Sequence, residues 1–239
     1  MAVFTEESAK ANIRVRDGKR VFYLAEGDIL TPAAKQWLQQ DHVEILPAEL
    51  AKVKRYKTLQ GYELSEKPEY MTHLRADVLV PKDHPRIRLR GLVDLLETEF
   101  LLTMCDFDVV GEVQIVSQLK EILEYIQLLM RQEVMEETVW PQRLCGLSEE
   151  ELREHSHFPQ KYYGIPHFMP KYEDGMVILR LNRLRAMVRQ AELAAISAFQ
   201  DQNGNPTRND LVQAYNRLSS LIWVLMIRRK KEKLDGNKA

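Results

Sequence analysis

The sequence predicts a mainly α protein, an antiparallel helix bundle of four long helices plus a short one, preceded by a small α/β N-terminal unit. Three observations predict it. From about Asp83 onward apolar residues recur every three or four positions over long stretches, with no strand signal between them. Breaker clusters such as Gln202-Asn203-Gly204-Asn205-Pro206 cut these stretches into helix-length pieces joined by short turns. The first fifty residues have a different texture, with short β-branched and aromatic runs around turn residues.

In chain order, Ile13 to Val21 and Val21 to Leu24 read as strands about a hairpin turn at Asp17-Gly18. Thr31-Pro32 starts a helix, with the threonine as N-cap and the proline at the first helical position, and a strand from His42 to Leu46 follows. Residues 51–70 lack sustained periodicity and read as a linker or mobile cover between an accessory unit over 1–50 and a bundle over 71–233, with a tail at 234–239. Asp83 and Pro85 open the first long helix, whose apolar face includes Leu89, Leu92, Val93, Leu96 and Phe100 and which ends near Cys105. A second, from about Gly111 to Glu137, repeats the pattern with Ile115, Leu119, Ile122, Ile126 and Met130. Ser148 with Glu151 forms a capping box for a brief helix to about His155, after which comes a loop rich in aromatic residues. Asp174 to about Phe199 and Thr207 to about Lys231 complete the set.

The charge balance narrows the function. Lys and Arg total 34 against 35 acidic residues, so there is no global basic field to draw the protein onto nucleic acid or an anionic membrane. No run of about eighteen apolar residues and no basic, apolar leader is present, which places the expected protein in the cytoplasm. Cys105 and Cys145 lie far apart without neighbours at metal-ligand spacing and read as two reduced thiols. Glu154 and His157 give one Glu-x-x-His, where a di-metal bundle needs two together with two further glutamates.

The residues that could carry chemistry lie on the last two long helices. Arg180, Arg183, Arg185 and Arg189 are crowded among leucines, and Arg185, Arg189 and Glu192 share one side of their helix. Taken alone, Arg189 and Glu192 read first as a solvated ion pair contributing about 0.3–0.5 kcal/mol. The final helix changes the balance. Asn216 and Arg217 stand just before Leu221-Ile222-Trp223-Val224-Leu225-Met226-Ile227, a run apolar on every face and therefore buried. Polar groups entering a buried helix must be paired or must face a ligand, so Asn216, Arg217 and Ser219 point to a polar cleft.

Asn216-Arg217-Leu218-Ser219, together with Arg185-Ala186-Met187-Val188-Arg189-Gln190-Ala191-Glu192, resembles the signature of the ATP:corrinoid (cobalamin) adenosyltransferases. Lys82-Asp83-His84-Pro85-Arg86 and Gly91-Leu92-Val93-Asp94 resemble that family's lysine-containing turn and helix start. Thr72-His73-Leu74, Gly146-Leu147-Ser148 and Leu30-Thr31-Pro32 are similar to its ethanolamine-utilisation branch, and the likeness covers most of the chain. The resemblance implies transfer of the 5′-deoxyadenosyl group of ATP to cob(I)alamin with release of triphosphate. Position by position, Lys82, Arg189, Glu192 and Asn216 would hold ATP and its Mg²⁺, with Arg217 close by, Glu192 the nearest candidate for the metal, and Thr72 and His73 on the nucleotide as well. Asp94 would pair with Arg185 and lock two helices, which makes Arg185, Arg189 and Asp94 the catalytic set. Phe158, Tyr163 and Phe168 would meet the corrinoid, with Phe158 or Phe168 either the wedge that displaces the lower axial ligand or an anchor for a lid. A homo-oligomer is implied, a trimer before a dimer. So is an association with a bacterial microcompartment or an ethanolamine ammonia-lyase.

Two departures accompany the likeness. The family's glycine-rich phosphate loop corresponds to Met71-Thr72-His73-Leu74-Arg75-Ala76-Asp77, which has no glycine, so Thr72, His73 and Arg75 would act by side chain. The His and Cys-Cys-x-x-Cys metal cluster of some members has no counterpart between Tyr56 and Tyr70, and no transition metal is expected. A non-catalytic corrinoid or ATP carrier, or an unliganded scaffold with the apolar end of the last helix as its oligomer interface, are the competing readings.

Overall fold

The structure is a computed structural model that describes residues 1–16, 18–51 and 55–236. It divides into two compact units, Met1–Met71 with Asp77–Leu79, and Thr72–Ala76 with Val80–Ala239.

In the first unit, β1 (Val3–Phe4) pairs in parallel with β4 (Ile29–Leu30), and β2 (Arg14–Arg16) runs antiparallel to β3 (Lys19–Leu24), which pairs in parallel with β5 (Glu44–Pro47). The expected hairpin is present, with Gly18 at φ 75°, while the predicted turn residue Asp17 lies outside the described residues. Two helices cover these strands, α1 (Glu6–Ala11) and α2 (Pro32–Gln40). The hydroxyl of Thr31 accepts from the Ala34 backbone N–H at 3.3 Å, the cap the sequence predicts. Ala9, Phe22, Ala34, Leu38 and Val43 form a small separate core, with Phe4 edge-on to Phe22 at 5.1 Å. The stretch read as a linker carries β6 (Tyr56–Thr58) and β7 (Glu63–Leu64), antiparallel to each other. Strands this short leave no alternation to detect, which is why the sequence did not announce them. Lys52, Val53 and Lys54 lie outside the described residues.

Strand β8 (Met71–Arg75), a tight turn at Ala76-Asp77 and strand β9 (Val78–Pro81) precede the helices of the bundle, with Thr72–Ala76 and the end of β9 from Val80 belonging to the second unit. The bundle consists of α3 (Pro85–Val109), α4 (Val113–Met135), α5 (Glu149–His157), α6 (Pro159–Tyr163), α7 (Met176–Ala198) and α8 (Asn209–Gly236). Local chemistry marks several helix boundaries, although α3 runs on to Val109, past the end expected near Cys105, and neither α4 nor α7 starts on a side-chain cap. His84 caps α3 by accepting from the Arg86 N–H at 3.2 Å, with Pro85 at its first position. The Ser148 and Glu151 capping box starts α5. Asp201 binds the Asn203 and Asn205 N–H groups at 2.8 Å each and holds the turn before α8. Helix α8 continues to Gly236, so the tail predicted from 234 is helical that far, and 237–239 lie outside the described residues.

Helix α7 packs on both α3 and α8, while α4, α5 and α6 also cover α8. This overturns one expectation. The run Leu221–Ile227 is buried within a single chain, with only Trp223 as much as 9% exposed. The chain's own core, built from α3, α4, α5 and α7 around α8, takes up the apolar surface that the sequence suggested for an oligomer interface.

Two ionic clusters tie the helices together. Between α3 and α4, Glu133, 1% exposed, accepts from Arg86 Nε at 2.6 Å and from Arg90 Nε at 2.7 Å. Arg86 also donates to Glu136 at 2.9 Å, and its guanidinium holds the Glu136 carboxyl below the usual range. Between α3 and α7, Glu99 receives Arg183 at 2.8 Å and Arg180 at 3.5 Å, while Arg180 reaches Asp106 at 2.7 Å.

Candidate functional site

The site follows from helical spacing on two neighbouring helices. On α7, Leu181, Leu184, Val188 and Ala191 face the core, which turns Arg185 and Arg189, four residues apart, to a different side. On α8, Asn216, Ser220 and Trp223 follow one another at successive turns. A cleft of about 920 Å³ lies between these faces, closed by residues 167–170 and the end of α5. Among the hollows of the first unit, one of about 500 Å³ is lined by Leu24, Ile45, Leu46 and Pro47 with Glu26 and Glu49 and has no cation in its lining, and one of about 600 Å³ sets Lys19 and Arg20 beside Asp41 and Glu44.

Within the cleft the two guanidiniums are uncompensated. Arg185 lies 5.5 Å from the centre of the Trp223 ring and, like Arg189, meets no carboxylate among the described residues. Burial, and then the charge of Arg189, hold the Arg185 pKa below its ordinary value. Beside them Asn216 donates from Nδ2 to Glu192 Oε1 at 2.9 Å. The hydroxyls of Ser219 and Ser220 donate to the Asn216 carbonyl at 3.0 and 3.2 Å, so Ser219 is satisfied within its own helix. The arrangement offers arginine forks to an anion, with one carboxylate oxygen of Glu192 still available for a cation.

The other wall is aromatic. Phe168 packs on Trp223 at 4.9 Å and His167 stacks on the same ring at 5.8 Å, while the Lys230 ammonium lies over Phe168 at 5.2 Å. Tyr163 sits behind this wall, its hydroxyl 2.6 Å from His155 Nδ1 and its ring 5.8 Å from the Arg228 guanidinium. Burial, and then Arg228, push the His155 pKa down. Asp174, just before α7, is buried, which raises its pKa, but bonding to Lys230 and to the Lys171 N–H outweighs this and holds it low.

The structure brings some of the predicted site residues together and separates others. Arg185, Arg189, Asn216 and Phe168 line the cleft, with Glu192 joined to Asn216. Arg217 is half-buried and Tyr163 lies behind the lining, while Phe158 is 58% exposed, between α5 and α6. Thr72, His73, Lys82 and Asp94 do not line it. His73 is 2.8 Å from the Ala76 carbonyl across the turn, and Arg75 pairs with Glu136 at the end of α4, in the strand–turn–strand segment that corresponds to the glycine-rich loop. Asp94 is exposed on α3 and makes no pair with Arg185 within the chain; Glu99 supplies the link between α3 and α7 instead. Sequence reasoning passed over Trp223. Its signal was an aromatic ring two turns beyond Asn216 in an otherwise aliphatic run.

The sequence profile described as Cobalamin adenosyltransferase matches residues 64–229, which include every residue of the cleft. The chain belongs to the cobalamin adenosyltransferase family. It is 28% identical over 246 aligned residues to Corrinoid adenosyltransferase EutT of Escherichia coli strain K12, spanning 93% of this chain and 90% of that protein. To Corrinoid adenosyltransferase EutT of Salmonella typhimurium it is 33% identical over 162 residues, spanning 68% of this chain and 59% of that protein. The family match leaves out residues 1–63, most of the first unit, so the cobalamin adenosyltransferase region and the bundle largely coincide.

Proposed function

We propose that this adenosyltransferase moves the 5′-deoxyadenosyl group of Mg²⁺·ATP onto cob(I)alamin, forming adenosylcobalamin and releasing triphosphate in support of ethanolamine utilisation. The observation that carries the reading is the pair Arg185 and Arg189, open to a cleft and matched by no carboxylate. In the reaction the cobalt lone pair forms the Co–C bond at C5′ as the C5′–O bond breaks, and the bonding electrons leave on the triphosphate. The protein needs no nucleophile of its own. Its arginines stabilise charge growing on the leaving group, Asn216 and the free oxygen of Glu192 place the nucleotide and its Mg²⁺, and the Phe168 wall gives the corrin an apolar seat that excludes a lower axial ligand.

Thr72, His73, Lys82 and Asp94 lie away from this cleft in one chain. We read them as the half-site that a second copy supplies, with exposed Asp94 meeting the Arg185 fork across the interface of a homo-oligomer, a trimer before a dimer. The setting that fits is the cytoplasm beside a microcompartment holding an ethanolamine ammonia-lyase; no helix among the described residues is long and apolar enough to cross a membrane. A non-catalytic corrinoid carrier is the second reading, favoured by the strand–turn–strand segment standing in the place of the glycine-rich loop.

Anaerobic turnover tests the proposal, with ATP, Mg²⁺ and chemically reduced cob(I)alamin followed in the visible spectrum. The wild type is expected to form adenosylcobalamin, and Arg189→Ala to lose on the order of 10²-fold or more in rate. Corrinoid binding without any turnover in the wild type would replace the transferase by the carrier.

A further inference from the structure

We propose that Trp223 is a positioning residue of this site, whose indole holds Arg185 ready for the nucleotide and at the same time seats the segment bearing His167 and Phe168. The inference rests on the transferase reading above. Its starting point is the run Leu221–Ile227, in which Trp223 is the one aromatic residue. Aliphatic side chains suffice for packing there, as its six neighbours do, so an indole calls for another reason.

That reason is what the ring touches. The Arg185 guanidinium lies 5.5 Å from its centre, in a place where burial and Arg189 both work against the charge and no acidic partner relieves it. The negative face of an indole stabilises a guanidinium without using its N–H groups, since the contact is made by the flat face and the donors point outward from the edge. A carboxylate would hold the arginine equally well but would occupy the donors that a phosphate, or Asp94 of another copy, has to reach. The same ring carries Phe168 at 4.9 Å and His167 at 5.8 Å with planes 7° apart. The segment around those two residues has no helix or strand of its own. It is otherwise held by the contact of His167 Nε2 with the His157 carbonyl at 3.2 Å and by Lys230 over Phe168. One side chain of a buried helix therefore sets both the cationic wall and the apolar wall of the cleft.

The test separates this role from simple core packing. Trp223→Phe keeps a π face and is expected to stay within a few-fold of wild type in the KM for each substrate. Trp223→Leu removes the face while preserving an apolar side chain, and is expected to raise the KM for both ATP and cob(I)alamin by about tenfold or more with a cooperative thermal melt retained. A leucine variant whose KM values match wild type would overturn the proposal, as would equal damage in the phenylalanine and leucine variants. A second readout uses the indole itself. In a Trp37→Phe, Trp140→Phe background, where Trp223 is the sole tryptophan, Mg²⁺·ATP without corrinoid is expected to change its emission, and Arg185→Met to abolish that change. Nucleotide binding seen by calorimetry with no change in emission would refute the positioning role alone. No nucleotide binding by the wild type would remove the transferase reading and this inference with it.

Discussion

Arg180, Arg183, Arg185 and Arg189 lie on one helix and differ in what faces each of them. The first two reach Glu99 and Asp106 on α3 and act as fasteners, whereas the second two face the cleft unpaired, which is why Arg189→Ala is expected to affect turnover. The spacing made the arginine density legible in the sequence, but not this division, because ion pairing depends on which helix lies opposite. His155 gives a prediction at the same scale. Burial and Arg228 disfavour its charged form in the folded protein, while the unfolded chain takes up a proton near the ordinary value of 6.5. Stability is therefore full above about pH 6.5 and falls as the pH drops below it, because the unfolded state then binds more protons. Melting temperatures recorded between about pH 7 and 5 should decline for the wild type and decline less for His155→Gln, which keeps a polar partner for Tyr163.

Among the elements, α3 and α4 are held together by a carboxylate with two arginines on it. Removing Glu133 takes the carboxylate from Arg90 and leaves Arg86 with Glu136 alone in a nearly dry interface, and Glu133→Ala should cost about 3 kcal/mol in urea unfolding, more than an exposed pair would. Helix starts were readable because caps are local chemistry. Thr31-Pro32, Pro85 and the Ser148–Glu151 box all act where the sequence put them. The strands β6 to β9 were not readable as strands, since pieces of two to five residues owe their form to their neighbours rather than to any period of their own. Helix α6 escaped notice for a similar reason, being little more than one turn between Pro159 and a left-handed Gly164.

For the whole molecule the decisive feature is that one chain carries the arginine cleft on α7 and α8 while Lys82, Asp94 and the 72–76 segment stand apart from it. If the complete site forms between copies, co-assembly of Lys82→Ala chains with Arg189→Ala chains should recover part of the turnover that each variant lacks alone, because some interfaces then join two intact halves. Failure to recover activity in demonstrated mixed oligomers would return both halves to one subunit. The sequence by itself determined the helix periods, most of the caps, and the Arg–Arg–Glu and Asn–Arg faces that place the chain in its family. Each of these is a pattern within a few turns of one helix, fixed by 3.6 residues per turn. Only the tertiary structure decided which arginines are neutralised, that Phe168 rather than Phe158 enters the cleft, and that the apolar end of α8 is buried in the chain's own core. Charge compensation and burial are properties of a residue's surroundings, and those surroundings are assembled from segments far apart in the chain.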